Sequence, residues 1–108
     1  MDVEELRTYA LQKDDAEEAL PFGPDVWVCK VLGKMFILVS LDTFPLQLNL
    51  KCDPAMAIEL RERYPDCILP GYHMNKKHWN TILVNGMLAK KQILQMIDDS
   101  YALVRGKK

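Results

Sequence analysis

Apolar and polar residues alternate in the middle of the chain with the two-residue period of a β-strand. The clearest case is residues 46–51, where leucines alternate with polar residues. This pattern predicts a strand with one buried face and one solvated face. Residues 26–32 and 35–41 are rich in β-branched and apolar side chains, and the short segment Gly33-Lys34 joins them. We therefore predict a hairpin followed by a third strand.

The strand predicted at residues 35–41 has apolar side chains on both faces. Phe36 and Leu38 lie on the face opposite to Ile37 and Val39. Helices packed on one side only would leave Phe36 and Leu38 partly exposed, which indicates a surface for a protein partner or for self-association. The alternative is that a loop covers these two side chains.

Helical periodicity appears in three other segments of the chain. Asp2 is the predicted N-cap of a first helix, which leads into the acidic run 14–18, an extra turn or a loop. Asp53-Pro54 is a typical helix start, and this helix ends before Pro65. A last helix is predicted over residues 89–104 from its apolar stripe.

Two further short strands, at residues 67–73 and 78–84, complete the predicted order of elements. The order α-β(3)-α-β(2)-α predicts an α+β fold, a two-layer α/β sandwich whose antiparallel sheet carries helices on one face. The 108 residues fit a single domain spanning positions 1–108.

Composition agrees with a globular domain that folds in a reducing compartment. Hydrophobic residues make up 49% of the chain and charged residues 27%. The chain has three cysteines at wide, irregular spacing, which is not typical of a disulfide framework. The sequence shows neither a secretory signal nor an apolar run long enough to cross a bilayer. We therefore expect a cytoplasmic protein with no membrane partner.

Motifs for catalysis, cofactors or metals are missing from the sequence. His73 and His78 are five residues apart, and no C-x-x-C or H-x-x-x-H pair accompanies them. We predict no metal, no cofactor and no catalytic residues. An enzyme with a site near Cys67, His73 and His78 is the least supported alternative, since no basic residue adjoins Cys67 to lower the pKa of its thiol.

Charge is distributed unevenly, although the net charge is only −1. Residues 1–66 carry a net −6, whereas residues 67–108 carry a net +5. The most basic turn lies between the last two predicted strands, and its lysines, histidines and asparagines suit contacts to phosphate. The candidate nucleic-acid-binding residues are Lys34, His73, Asn75, Lys76, Lys77, His78 and Asn80. The alternative is that the aromatic residues beside this turn are core and its lysines merely solvated.

The segment that contains this turn, PGYHMNKKHWNT at positions 70–81, resembles the signature of the MmcQ/YjbR-like family of small bacterial proteins. The segments LPFGPDVWVCKVLGKMF at 20–36 and IDDSYALV at 97–104 are similar to that family as well. The resemblance implies the same α-β(3)-α-β(2)-α fold, likened to secretion chaperones and to the frataxin homologue CyaY. It also implies DNA binding through a double wing formed by the two basic hairpins.

The sequence therefore favours a small binding protein, with DNA as the first candidate partner. Because the chain as a whole is not basic, DNA binding should be weak and salt-sensitive. The alternative is a protein-interaction or chaperone-like module that uses the open sheet face.

Overall fold

The computed structural model describes residues 1–71 and 74–106 of the chain. These residues form an antiparallel sheet of six strands in the order β1-β2-β3-β4-β6-β5, together with three helices. The elements are α1 (Val3–Leu11), β1 (Ala16–Ala19), β2 (Val26–Val31), β3 (Lys34–Ser40), β4 (Leu46–Lys51), α2 (Pro54–Arg63), β5 (Ile68–Pro70), β6 (Trp79–Val84) and α3 (Lys90–Arg105). The predicted α+β class is confirmed.

Two of the helices begin at the predicted N-caps. The Asp2 carboxylate accepts a hydrogen bond from the Glu5 amide at 2.9 Å, and the Glu5 side chain bonds back to the Asp2 amide. The Asp53 carboxylate caps α2 by accepting hydrogen bonds from the Ala55 and Met56 amides, and Pro54 occupies the first position of the helix. Helices α1 and α2 therefore start where local chemistry directs them to start.

All three helices contribute to one core on the same face of the sheet. The inward side chains of β2, β3, β4 and β6 meet Leu6 of α1, Leu60 of α2 and Ile97 of α3. The core residues of these four strands are Trp27, Cys29, Val31, Phe36, Ile37, Val39, Leu48, Leu50 and Ile82. The leucines of β4 face the core, as their alternation predicts.

Phe36 is 0% exposed, so the expectation that it lies on an open sheet face was wrong. Cys29 pairs with Ile37 and Lys30 with Met35, which leaves Phe36 as the extra residue of a bulge. The bulge shifts the alternation by one position and turns Phe36 toward α3. There its ring lies edge-on to the Tyr101 ring, with centroids 5.3 Å apart.

The acidic run that follows α1 forms strand β1 from Ala16 onward instead of an extra turn or a loop. Its Glu18 carboxylate accepts hydrogen bonds from Arg7 at 2.7 Å and from the Trp27 indole at 2.8 Å. This pairing holds the pKa of Glu18 at about 2. Partners on α1 and β2 thus stabilise a strand that its own composition does not favour.

The outer face of the sheet is less solvated than alternation alone predicts. Asn49 of β4 is buried, and its side-chain oxygen accepts a hydrogen bond from the Thr81 hydroxyl at 2.6 Å. Val28 is buried on the same face, and Leu38 is half-buried. The face therefore combines a polar pair with small apolar groups.

Candidate nucleic-acid interface

Two basic turns lie at the same end of the sheet. Residues 32–33 connect β2 to β3, and residues 71–78 connect β5 to β6. Ile37 pairs with Leu50, and Lys51 pairs with Trp79. Both turns therefore extend beyond the same end of the strands, and β4 lies between them. Two strand spacings correspond to about 10 Å. We call this surface the basic end and define it by Lys34, Asn75, Lys76, Lys77 and His78.

The turn that carries Lys76 and Lys77 is held by hydrogen bonds of Asn75. The Asn75 side-chain oxygen accepts from the Lys77 amide at 2.9 Å. Its backbone carbonyl accepts from the amides of His78 and Trp79, at 3.2 and 3.0 Å. Both lysine side chains are exposed as a result. The two ammonium groups therefore face solvent from a turn of defined shape.

Arg61 of α2 connects this turn to the body of the protein. Its Nε donates to the Asn80 side-chain oxygen at 2.7 Å. Its Nη2 donates to the backbone carbonyls of Lys76 and Trp79, the second at 3.4 Å. One planar guanidinium thus fixes the last part of the turn and the start of β6 relative to α2.

Close packing at the base of the turn explains the glycine at position 71. A β-carbon at Gly71 would lie 2.8 Å from the Trp79 β-carbon, closer than such atoms approach. Asn80, beside it on β6, is 1% exposed. It supports the turn from inside, whereas the other described candidates lie at the surface. His73 and its neighbour Tyr72 lie outside the described residues.

Acidic side chains limit the basic end on one side. Asp14 and Asp15 precede β1, and Ala16 pairs with Val31, which places both aspartates beside the β2–β3 turn. The positive charge of the basic end therefore lies at Lys34 and on the 71–78 turn, and the exposed Asp53 follows the end of β4 between them. A partner that requires positive charge would contact this region and avoid β1.

A groove of about 400 Å³ lies between α2 and α3, on the helix side of the sheet. Its floor is apolar and includes Leu50 and Ile82. Cys52 and Asn80 line one end of the groove, but neither Cys67 nor His78 lines it. Cys67 and His78 of the enzymatic alternative therefore do not line this cavity, and His73 lies outside the described residues.

The thiol groups are not activated. Burial raises the pKa of Cys29 to about 11, and it raises the pKa values of Cys52 and Cys67 as well. Nearby carboxylates act in the same direction, Asp53 on Cys52 and Asp66 on Cys67. These cysteines stay protonated near neutral pH, which makes them poor nucleophiles.

Residues 1–71 and 74–106 contain neither a cluster of metal ligands nor a membrane-spanning helix. Histidine, cysteine and carboxylate side chains in these ranges do not gather in groups of three that could hold a metal ion. None of the helices in this part of the chain combines the length and apolar character needed to cross a bilayer.

Arg61 and the α2–α3 groove are the parts of the candidate site that sequence reasoning missed. The signal for Arg61 was its position one turn after Ala57, which places it on the buried side of α2. An arginine on that face requires a polar partner, and β6 supplies it with Asn80. The groove involves residues from elements far apart in the chain and leaves no local signal.

The fold is that of a small α+β protein with two hairpins at one end of its sheet. Comparison with known proteins identifies the family. The sequence profile of the YjbR family matches residues 11–103. This chain belongs to the YjbR family, as its resemblance to the MmcQ/YjbR-like signature predicted.

Relatives and solved structures agree with this assignment. The chain is 39% identical to the uncharacterized protein YbdF of Escherichia coli O157:H7, over 94% of this chain and 82% of that protein. It is 32% identical to the uncharacterized protein YjbR of Escherichia coli K12, over 94% and 85%. The crystal structure of Deinococcus radiodurans protein DR2400 superposes with a TM-score of 0.91 at 38% identity, covering 97% of this chain and 79% of that one. A Pseudomonas syringae crystal structure matches with a TM-score of 0.79 at 30% identity, over 97% and 100%.

Proposed function

We propose that this protein binds double-stranded DNA through the basic end. The observation that supports the proposal is the exposure of Lys34, Lys76 and Lys77 at one end of the sheet. Each lysine lies in or next to a turn, where its ammonium group can reach a phosphate without displacing core residues. Phosphate contacts of this kind give affinity without sequence preference.

The first turn has a second feature that suits a nucleic-acid groove. Leu32 is an exposed apolar residue with a positive φ of 52°, a conformation that costs a leucine free energy. Leu32 and Gly33 form the tip of this turn, and Lys34 follows Gly33 at the start of β3. Minor-groove proteins insert apolar side chains between base pairs and place basic side chains in the groove itself. Leu32 and Lys34 would then act together in one wing.

Salt dependence tests the proposal quantitatively. Three lysine–phosphate contacts predict a slope of about −2.7 for the logarithm of the association constant against the logarithm of the salt concentration. Between 50 and 200 mM salt, the affinity should then fall about 40-fold. Fluorescence anisotropy with a labelled duplex measures both values. Absence of binding at the lowest salt concentration would refute the proposal.

A double variant with a matched control locates the interface. Lys76→Ala with Lys77→Ala should reduce the salt slope by about 2. Lys90→Ala with Lys91→Ala removes the same charge from the start of α3, at the opposite end of the sheet, and should leave the slope unchanged. Equal losses in the two double variants would mean that overall charge, and not the basic end, controls binding.

A second candidate function is self-association, since exposed apolar side chains gather at the end of the sheet opposite to the basic end. They lie in the β1–β2, β3–β4 and β6–α3 connections, and Phe44 is 99% exposed. The group consists of Leu20, Phe22, Leu41, Phe44 and Met87. A net charge of only −1 provides little repulsion between copies. This apolar end, rather than the sheet face, now supports the protein-interaction alternative.

Sedimentation equilibrium tests self-association. Phe44→Asp should shift the protein toward monomer, whereas Leu103→Asp, an exposed apolar position on α3, should not. A parent protein that stays monomeric at high micromolar concentration would rule out a dimer formed through the apolar end.

A further inference from the structure

The groove between α2 and α3 has two chemically different ends. The Gln92 side chain donates to the Tyr64 hydroxyl at 3.0 Å, so the start of α3 meets the end of α2. At the other end, the Lys51 amide donates to Ser100 of α3 at 2.8 Å. Asp99 lines this second end, about 12 Å along α3 from Lys91 at 1.5 Å per residue.

The first end carries positive charge that forms no ion pair within the described residues. Arg63 and Lys91 both line the groove there. The first turn of α3 has no acidic residue, and its N-cap is Ala89, whose side chain makes no capping hydrogen bond. A helix start bearing lysine is unfavourable by itself, because the positive end of the helix dipole repels a cation. An anion bound there would relieve that repulsion.

The second end contains a buried donor that lacks an acceptor. Asn80 lines the groove and is 1% exposed, and its Nδ2 has no hydrogen-bond partner among the described residues. The bond from Arg61 to the Asn80 oxygen fixes the orientation of the amide and polarises Nδ2–H. A buried donor left unpaired costs about 1–3 kcal/mol. A ligand that supplies an oxygen acceptor would remove this cost.

Between the two ends the groove is apolar and adaptable. Leu60, Met56 and Met96 of the two helices line it together with the floor residues Leu50 and Ile82. Methionine side chains change rotamer easily, which allows a bound group to reach Nδ2. A volume of about 400 Å³ lies within the range of small-molecule sites.

We propose that this groove binds an elongated amphipathic carboxylate. Its carboxylate lies between Arg63 and Lys91 at the start of α3, and its aliphatic chain covers the apolar floor. A carbonyl oxygen at its far end accepts a hydrogen bond from Asn80. The proposal does not depend on DNA binding, because the groove opens on the helix side of the sheet and the exposed lysines of the basic end do not line it, although its Asn80 end adjoins the base of the 71–78 turn.

Nuclear magnetic resonance titration of the unmodified chain tests both ends. The probe is 9-oxodecanoate, whose ketone and carboxylate oxygens are separated by about the length of the groove. It should shift the side-chain NH₂ resonances of Asn80 and the backbone amides of the first turn of α3. Decanoate lacks the ketone and should bind about fivefold more weakly, which corresponds to one neutral hydrogen bond.

Two variants and a cationic probe complete the test. Lys91→Gln should weaken 9-oxodecanoate binding several-fold, whereas Lys90→Gln, on the same turn but outside the groove, should not. Decylammonium, which has no anionic group, should not bind. Absence of 9-oxodecanoate binding at millimolar concentration, or equal binding of decylammonium, would overturn the proposal. Equal affinity for decanoate and 9-oxodecanoate would overturn the role of Asn80.

Discussion

Replacing Arg61 tests how much its hydrogen bond to Asn80, at the base of the basic turn, stabilises the protein. Arg61→Ala removes a charge-assisted hydrogen bond to the buried Asn80 oxygen, which is worth about 1.5–3 kcal/mol. The bond to the Lys76 carbonyl is exposed, and the contact with the Trp79 carbonyl is long, so water replaces both at little cost. We therefore expect the free energy of unfolding to fall by about 2 kcal/mol.

Urea denaturation measures this change. With a slope near 2 kcal/mol/M, the midpoint should fall by roughly 1 M. Arg61→Lys keeps the charge but not the planar donor set, and it should retain about half of the lost stability. Arg63→Ala is the matched control, an exposed arginine on the same helix, and should change stability by less than about 0.5 kcal/mol. If Arg61→Ala and Arg63→Ala lower the free energy of unfolding equally, the hydrogen bond from Arg61 to Asn80 does not stabilise the fold.

Three other substitutions test the remaining structural interpretations. The pKa of Glu18 is about 2 in the folded chain, below its ordinary value of 4.5. The ionised carboxylate therefore stabilises the folded chain fully above pH 4.5, and this contribution is lost as the pH falls toward 2. The difference in urea midpoint between the parent and Glu18→Gln should therefore shrink below pH 4.5, and a constant difference would contradict this. Ser100→Ala leaves the Phe36 carbonyl and a β4 amide without their partner and should cost about 2–4 kcal/mol, against less than about 0.5 kcal/mol for Ser40→Ala. Leu32→Asn places a residue that tolerates a positive φ at this position, so it should stabilise the chain by about 1 kcal/mol in thermal melts. The same variant should weaken DNA binding. Destabilisation would show that the turn is not strained.

The part of the candidate site that could be predicted from the sequence consists of the turn residues, because the neighbouring strand patterns locate the turn. Lys76 and Lys77 lie between two strand patterns, which locates a turn, and polar turn residues are exposed. Asn80 was predicted as a contact residue of the turn, but its strand position gives no indication of a cationic partner on α2. Its pairing with the core residue Leu50 and its contact with Arg61 show that this amide faces inward.

Phe36 and the acidic run show why part of the fold escaped prediction. Strict alternation assigns Phe36 to the outer face, but a bulge depends on the register against β2 and leaves no mark in residues 35–41. Ala16–Ala19 has poor strand propensity and pairs because β2 presents a free edge. Both features depend on residues from a neighbouring element.

The sequence by itself determined the order of most elements, two of the helix starts, the core-facing leucines of β4 and the family. These features depend on periodicity and capping within a few residues, which any chain with this pattern would share. The tertiary structure decided the strand at the acidic run, the inward turn of Phe36, the Arg61 contacts and the groove. Each of these arises from pairing or packing between segments distant in the chain, and the free energy of such contacts is not encoded in any one segment.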